Sequence, residues 1–185
     1  MKISYCSLGC KVNLYETEAI INDFIEKGYE LVDFNEISDV SIINTCTVTA
    51  MADAKSRKMI RQATKKNPNT IVAVMGCFSQ LNAEVVKAIP GVDIVIGTAN
   101  RHQLLELVET CLNSRNQRCL ITDYKEITEY EELKIKHFSH KIRGFVKIQD
   151  GCNNFCSYCA IPYARGKIRS RKPEDVIAEI KLLTE

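Results

Sequence analysis

Three cysteines at a C-x3-C-x2-C spacing, Cys152, Cys156 and Cys159, lie in the run Gly151-Cys152-Asn153-Asn154-Phe155-Cys156-Ser157-Tyr158-Cys159. Three thiolates are one too few for a closed tetrahedral zinc site, which takes four ligands. They suit a cubane iron-sulfur cluster, which cysteine thiolates hold. On a four-iron cluster they leave one iron without a protein ligand, and an open metal position is a place to bind a small molecule and do chemistry. Cys152 and Cys156 are four residues apart, so one turn of chain can bring both sulfurs to one cluster. Tyr158 puts a flat ring beside the open iron. Buried structural cysteines or a zinc knuckle fit less well, because structural cysteines need no fixed spacing and a zinc motif wants a fourth ligand. The nearest histidine upstream, His140, lies twelve residues before Cys152.

Three further cysteines stand at equivalent places in a strand-helix pattern. Cys10 follows a short strand at Ile3–Cys6, Cys46 follows Val40–Asn44, and Cys77 follows the unbroken apolar run Ile71–Met75. They are 36 and 31 residues apart, each about one β-α unit. Between them, Glu16–Lys27 carries Ala19, Ile20 and Phe24, with Ile25 beside them, at helical spacing, and Gly28 follows as a stop. Ala50–Asn67 is a basic helix with Met59, Ile60 and Ala63 toward a core, ended by Pro68. Ala83–Ile89 predicts a short helix stopped by Pro90-Gly91, Val92–Ile96 another strand, and Arg101–Leu112 a helix. Apolar strands separated by helices indicate a parallel sheet covered on both faces. Ligands of such sheets bind outside the carboxyl ends of the strands, so the three sulfurs are expected to converge at one edge. Gly9 and Gly76 precede two of them and let the backbone turn tightly there. Cys6, in a strand, and Cys111, in a helix, read as small buried hydrophobes, and Cys119 falls outside the pattern.

The chain has 185 residues, 45% hydrophobic and 26% charged, which predicts a soluble globular protein with a real core. Its net charge of +2 argues for no partner, but the charge is uneven. From Lys141 to Lys172 eight basic residues (Lys141, Arg143, Lys147, Arg165, Lys167, Arg169, Arg171, Lys172) stand against one acid, Asp150. A basic cluster beside a reactive site suggests a polyanion such as nucleic acid, although charge alone leaves a solvated basic face equally open. The helix with Lys55, Arg57, Lys58, Arg61, Lys65 and Lys66 offers a second such face, with the same alternative. Nine cysteines, no secretory signal and no bilayer-length apolar run predict a reducing cytoplasmic setting without a membrane, where cysteines serve as metal ligands or reactive thiols.

The C-x3-C-x-aromatic-C run resembles the radical SAM enzymes. Together with Gly9-Cys10-Lys11-Val12-Asn13, Asn44-Thr45-Cys46-Thr47-Val48-Thr49 and Gly76-Cys77-Phe78, it is similar to the tRNA methylthiotransferases over essentially the whole chain. The resemblance implies two four-iron clusters, an auxiliary one on Cys10, Cys46 and Cys77 and a radical SAM one on Cys152, Cys156 and Cys159. S-adenosyl-L-methionine is bound at the second, with Tyr158 beside it. It implies a 5′-deoxyadenosyl radical that takes the C2 hydrogen of an adenine, and a methylthio group delivered from the auxiliary site. Gly-Cys-Lys-Val-Asn resembles the branch acting on N6-threonylcarbamoyladenosine beside the anticodon. The sister branches act on isopentenyladenosine or on a ribosomal-protein aspartate, and Leu14 departs from the polar residue usual in the first branch. The partners implied are a tRNA anticodon loop and a reducing electron donor, with a monomeric enzyme. An iron-sulfur electron carrier is a distant alternative, disfavoured because such carriers use four cysteines per cluster.

The division expected is a methylthiotransferase domain over 1–122, a polar linker over 123–140 with His137 and His140 solvated in it, and the start of a radical SAM partial (β/α) barrel over 141–185. Ile142–Ile148 reads as the first barrel strand and Pro173–Glu185 as its first helix, with proline at the start. One β-α unit cannot close a barrel. The sequence is therefore expected to be the N-terminal part of a longer enzyme, inactive alone.

Overall fold

Residues 40–45 and 71–76 are buried along their whole length, as interior strands of a doubly covered sheet are. The computed structural model describes residues 1–135 and 144–184. Its elements are β1 (Lys2–Ser7), α1 (Lys11–Glu26), β2 (Glu30–Leu31), β3 (Val40–Thr45), α2 (Ala50–Lys66), β4 (Ile71–Gly76), α3 (Cys77–Leu81), α4 (Ala83–Lys87), β5 (Ile94–Ile96), α5 (Leu104–Ser114) and β6 (Arg118–Leu120). They continue with β7 (Gln149–Asp150), α6 (Ile161–Arg165), β8 (Arg169–Ser170) and α7 (Pro173–Thr184). Strands β1 to β6 form one all-parallel sheet in the order β2-β1-β3-β4-β5-β6.

Alternation along β4 divides the core. Ile71, Ala73 and Met75 pack with Ile20, Ile21 and Phe24 of α1 and Leu104 and Val108 of α5. Val72 and Val74 pack on the other face with Ile60 and Ala63 of α2 and with Val86. The parallel α/β reading of the sequence is thus the observed one.

Helix α1 begins five residues before the expected Glu16, directly after Cys10. Its first turn carries no apolar stripe because it faces polar backbone. The Asn13 side chain donates to the carbonyls of Leu8 (2.8 Å) and Thr45 (3.0 Å). Short α3 and the edge strands β2 and β6 carried too little apolar pattern to predict. Cys111 is fully buried as expected, whereas Cys6 is only half-buried and Cys119 is exposed on β6.

The second part departs from expectation. Residues 144–148 form no strand, and Ile142 lies outside the described residues, as do Lys141, Arg143, His137 and His140. The strand falls at Gln149–Asp150 and pairs antiparallel with β8, not parallel as a barrel strand would. Its partner among the described residues is β8, on the segment that returns behind the cysteine loop. Helix α7 starts on Pro173 as expected. Residues 124–135 run as a packed strap. Leu133 and Ile135 are buried against Tyr15 and Ala19 of α1, and the Tyr130 hydroxyl donates to the Lys147 carbonyl (2.8 Å). No helix among the described residues is long and apolar enough to cross a membrane.

Candidate metal centres

Register places the first cysteine triad. Ser7 pairs with Asn44, Leu8 donates its N–H to the Asn44 carbonyl, and Thr45 pairs with Gly76. The loops carrying Cys10 and Cys46 and the start of α3 at Cys77 therefore leave the sheet side by side at its carboxyl edge. Gly9 (φ +93°) runs so close to Cys46 that a Cβ there would stand 2.7 Å from its sulfur. Gly76 (φ +100°) must also be glycine, since a Cβ would stand 2.3 Å from the Asn44 side-chain oxygen. Cys77 begins α3, whose turn is fixed by Ser79, donating its hydroxyl to the carbonyls of Gly76 (2.9 Å) and Ile96 (2.7 Å). Cys46 and Cys77 are buried and Cys10 is exposed, so the triad opens outward on one side.

The second triad lies on an irregular loop between β7 and α6, not on a helical turn. Cys159 donates its N–H to the Cys156 carbonyl (2.9 Å), and Cys152 donates to Gly166 (3.0 Å). Edge-on contacts of Tyr163 with Phe155 and with Tyr124 tie this loop to the strap. Cys156 is exposed, Cys152 and Cys159 are half-buried, and Tyr158 is 89% exposed.

Among the described residues no three His, Cys, Asp or Glu side chains stand close enough to hold a single metal ion. A cluster puts each thiolate on its own iron, so its ligands stand wider apart than those of one ion. Each triad offers thiols alone, and at the first one the backbone is cut back to glycine against the Cys46 sulfur. The residues present thus fit a cluster better than a tetrahedral ion.

Behind the first triad lies a buried ion-pair network that the sequence reading missed. Glu16, fully buried on α1, accepts from Lys147 (2.8 Å) and from both arms of the Arg165 guanidinium (2.8 and 3.1 Å). Asp150 accepts from Lys147 (2.6 Å) and Arg165 (3.0 Å), with Arg169 at 3.6 Å. Arg101 joins Glu16 to Glu131 of the strap. Burial alone would push the Glu16 carboxyl up, but Arg101, Arg165 and Lys147 override it and hold it well below the usual carboxylate range. Asp150 and Glu131 are held down by Arg165 and Arg101 in the same way, against their own burial. Burial pushes the Cys77 thiol up, and the nearby Arg165 charge opposes this.

This network corrects the reading of the run Lys141–Lys172 as a basic surface. Lys147, Arg165, Arg169 and Arg171 are buried, and Arg171 pairs with Glu132 and Glu179. Their acidic partners lie up to 149 residues away in sequence, which a charge count along the chain cannot see. Lys167 and Lys172 remain exposed. Arg165 belonged to the noted run and Asn13 to the quoted Gly9–Asn13 motif, but neither showed its role. No signal marked Glu16 beyond an acid within an apolar helix.

A parallel sheet with thiols gathered at its carboxyl edge, followed by a compact second thiol loop, defines a two-triad α/β protein. The chain belongs to the Uncharacterized protein family UPF0004, whose model matches residues 2–97. The model of the Radical SAM superfamily matches residues 146–185. The threonylcarbamoyladenosine tRNA methylthiotransferase MtaB of Bacillus subtilis (strain 168) is 45% identical over 99% of this chain and 41% of its own length. MtaB of Aquifex aeolicus (strain VF5) is 39% identical over 100% of this chain and 45% of its own. The tRNA-2-methylthio-N(6)-dimethylallyladenosine synthase of Thermoanaerobacter sp. (strain X514) is 38% identical over 96% of this chain and 38% of its own. The chain thus spans less than half the length of these curated relatives.

Proposed function

We propose that this chain is part of a radical SAM tRNA methylthiotransferase that places a methylthio group on C2 of N6-threonylcarbamoyladenosine beside the anticodon. The observation that carries the reading is the pair of three-thiol sites, one gathered by sheet register and one on the loop within the radical SAM match. Cys10, Cys46 and Cys77 would hold one four-iron cluster, and Cys152, Cys156 and Cys159 the other. When bound, the clusters supply the electron that cleaves S-adenosylmethionine and the sulfur that is transferred.

The chain's own residues do the positioning. Gly9 and Gly76 bring backbone against the first site, Asn13 ties the loops of Cys10 and Cys46 together, and Tyr163 and Phe155 brace the second loop. Tyr158, open to solvent, is available to flank a bound S-adenosylmethionine. The matched ranges 2–97 and 146–185 lie on either side of the linker read at 123–140, which supports that division.

The choice of base rests on Gly9-Cys10-Lys11-Val12-Asn13 and on the 45% identity to the Bacillus subtilis protein. The dimethylallyladenosine synthases, at 38% identity, keep the isopentenyl-type base as the second reading. An adenine C2 must be unstacked to react, which favours an anticodon loop over a paired stem. The test gives the full-length enzyme threonylcarbamoyl-modified tRNA, isopentenyl-modified tRNA and the ribosomal protein, and reads the digests by mass spectrometry. A methylthio group on the threonylcarbamoyl nucleoside is expected. A product on either other substrate alone overturns the choice of base.

A further inference from the structure

Arg165 lies six residues after Cys159, on the helix that leaves the second cysteine loop, yet its guanidinium reaches Asn13 beside the first triad. One arm, Nη1, donates to Glu16 and Asp150. The other, Nη2, donates to Glu16 and to the Asn13 side-chain oxygen (2.8 Å). That same oxygen stands 3.8 Å from the Cys10 sulfur, and the Asn13 amide holds the carbonyls of Leu8 and Thr45, next to Gly9 and Cys46. The helix that ends at Arg165, α6, packs against α3, which begins at Cys77. Through Asn13 one side chain therefore holds the frame of Cys10 and Cys46 while being covalently part of the second cysteine segment.

The charges at this junction do not balance. Arg101, Lys147, Arg165 and Arg169 face three carboxylates, Glu16, Glu131 and Asp150, so the buried cluster carries one cation more than it has anions. A surplus positive charge in a dry interior is costly unless another anion shares it. Thiolates bound to iron are such an anion, and charge and hydrogen bonds at cluster sulfurs set reduction potential.

We propose that Arg165 is the positioning residue that locks the second cysteine loop onto the first triad and supplies positive charge behind that triad. A bidentate guanidinium suits both tasks, and a lysine keeps the charge but not the fork. The charge half rests on the cluster reading above, and the positioning half does not.

Two substitutions in the full-length, anaerobically reconstituted protein separate the halves. Arg165→Lys tests the fork by amide hydrogen exchange. The amides of Leu8, Leu14 and Cys46, which are hydrogen-bonded around the first triad, are expected to exchange about tenfold faster or more, as for loss of hydrogen bonds to a charged group. Arg171→Met breaks the neighbouring Glu132–Glu179 network, which does not touch the cysteines, and provides a comparison of similarly lowered stability. It is expected to loosen α7 and leave those amides unchanged. Arg165→Gln tests the charge in a Cys152, Cys156, Cys159→Ala background, where only the first cluster can be titrated. Its midpoint potential is expected to fall below the parent's, and Arg165→Lys to restore most of the difference. Unchanged amides in Arg165→Lys, equal changes in Arg171→Met, or a parental potential in Arg165→Gln overturn the proposal. A parent that binds no iron at the first triad overturns the cluster reading and the charge half with it, while the exchange data still decide the positioning.

Discussion

At Gly9 the Cys46 sulfur stands where a side chain would begin. Gly28 supplies a built-in comparison, because it has the same φ of +93° and nothing within 4 Å of its missing Cβ. Alanine at either position carries the strain of a left-handed backbone, about 1–3 kcal/mol. Only at Gly9 does it also displace a proposed cluster ligand. Gly9→Ala is therefore expected to lose more stability in urea than Gly28→Ala and to lose iron at the first triad, with the second triad still loaded. Equal losses of stability and full iron in both would show that the close approach does not matter. Cys46→Ala is expected to abolish methylthiolation in the full-length enzyme while reductive cleavage of S-adenosylmethionine continues. Loss of that cleavage with the second cluster still assembled would contradict the division of labour.

Helix α2 shows what an element can do with charge left free. Thr49 caps it by accepting from the Ala52 N–H (3.1 Å), and Asp53 stands in its first turn and Lys65 and Lys66 in its last, as the helix dipole favours. Lys66 lies 3.7 Å over the Phe34 ring and Arg57 5.7 Å from the Phe78 ring, but Lys58, Arg61 and Lys65 share one exposed face. If that face meets tRNA phosphates, reversing the three to glutamate weakens tRNA binding by the full-length protein and flattens its salt dependence by about 0.9 in log-log slope per lost phosphate contact. Folding should shift by no more than about 0.5 kcal/mol. An unchanged slope would leave α2 a merely solvated helix. The elements differ in how far the sequence revealed them. Strands β3 and β4 and helices α2 and α7 were legible because each carries its own pattern, an unbroken apolar run or a capped stripe. The first turn of α1 was not, since Asn13 is buried by partners in other segments, and β7 was misplaced because its pairing depends on a return strand 20 residues on. Spacing and neighbouring glycines marked the cysteines as candidates, whereas the residues packed around them were hidden by sequence distance.

Across the whole molecule, the sheet and the second cysteine segment are joined by buried charge. Glu16 belongs to α1, Glu131 to the strap, and Asp150 and Arg165 to the segment around the second triad. Breaking a buried pair by removing one partner costs about 3–5 kcal/mol, because the other charge is left uncompensated. Glu16, Asp150 and Glu131 are all held below their ordinary carboxylate values, so the folded state binds protons less readily than the unfolded chain. Their stabilisation is complete above the unfolded carboxylate range, about pH 4, and is lost as pH falls through the depressed folded values. The urea midpoint is expected to be insensitive to these groups from neutrality down to about pH 5 and to fall steeply below that. Glu16→Gln should lower the midpoint at neutral pH and make the acid fall shallower, because one of the depressed carboxyls no longer titrates. Limited proteolysis across the same range should release residues 144–184 from the sheet before the sheet itself unfolds, since the acid-sensitive pairs lie at that junction. An acid fall as steep in Glu16→Gln as in the parent, with no early release of the segment, would place the pH sensitivity elsewhere in the molecule.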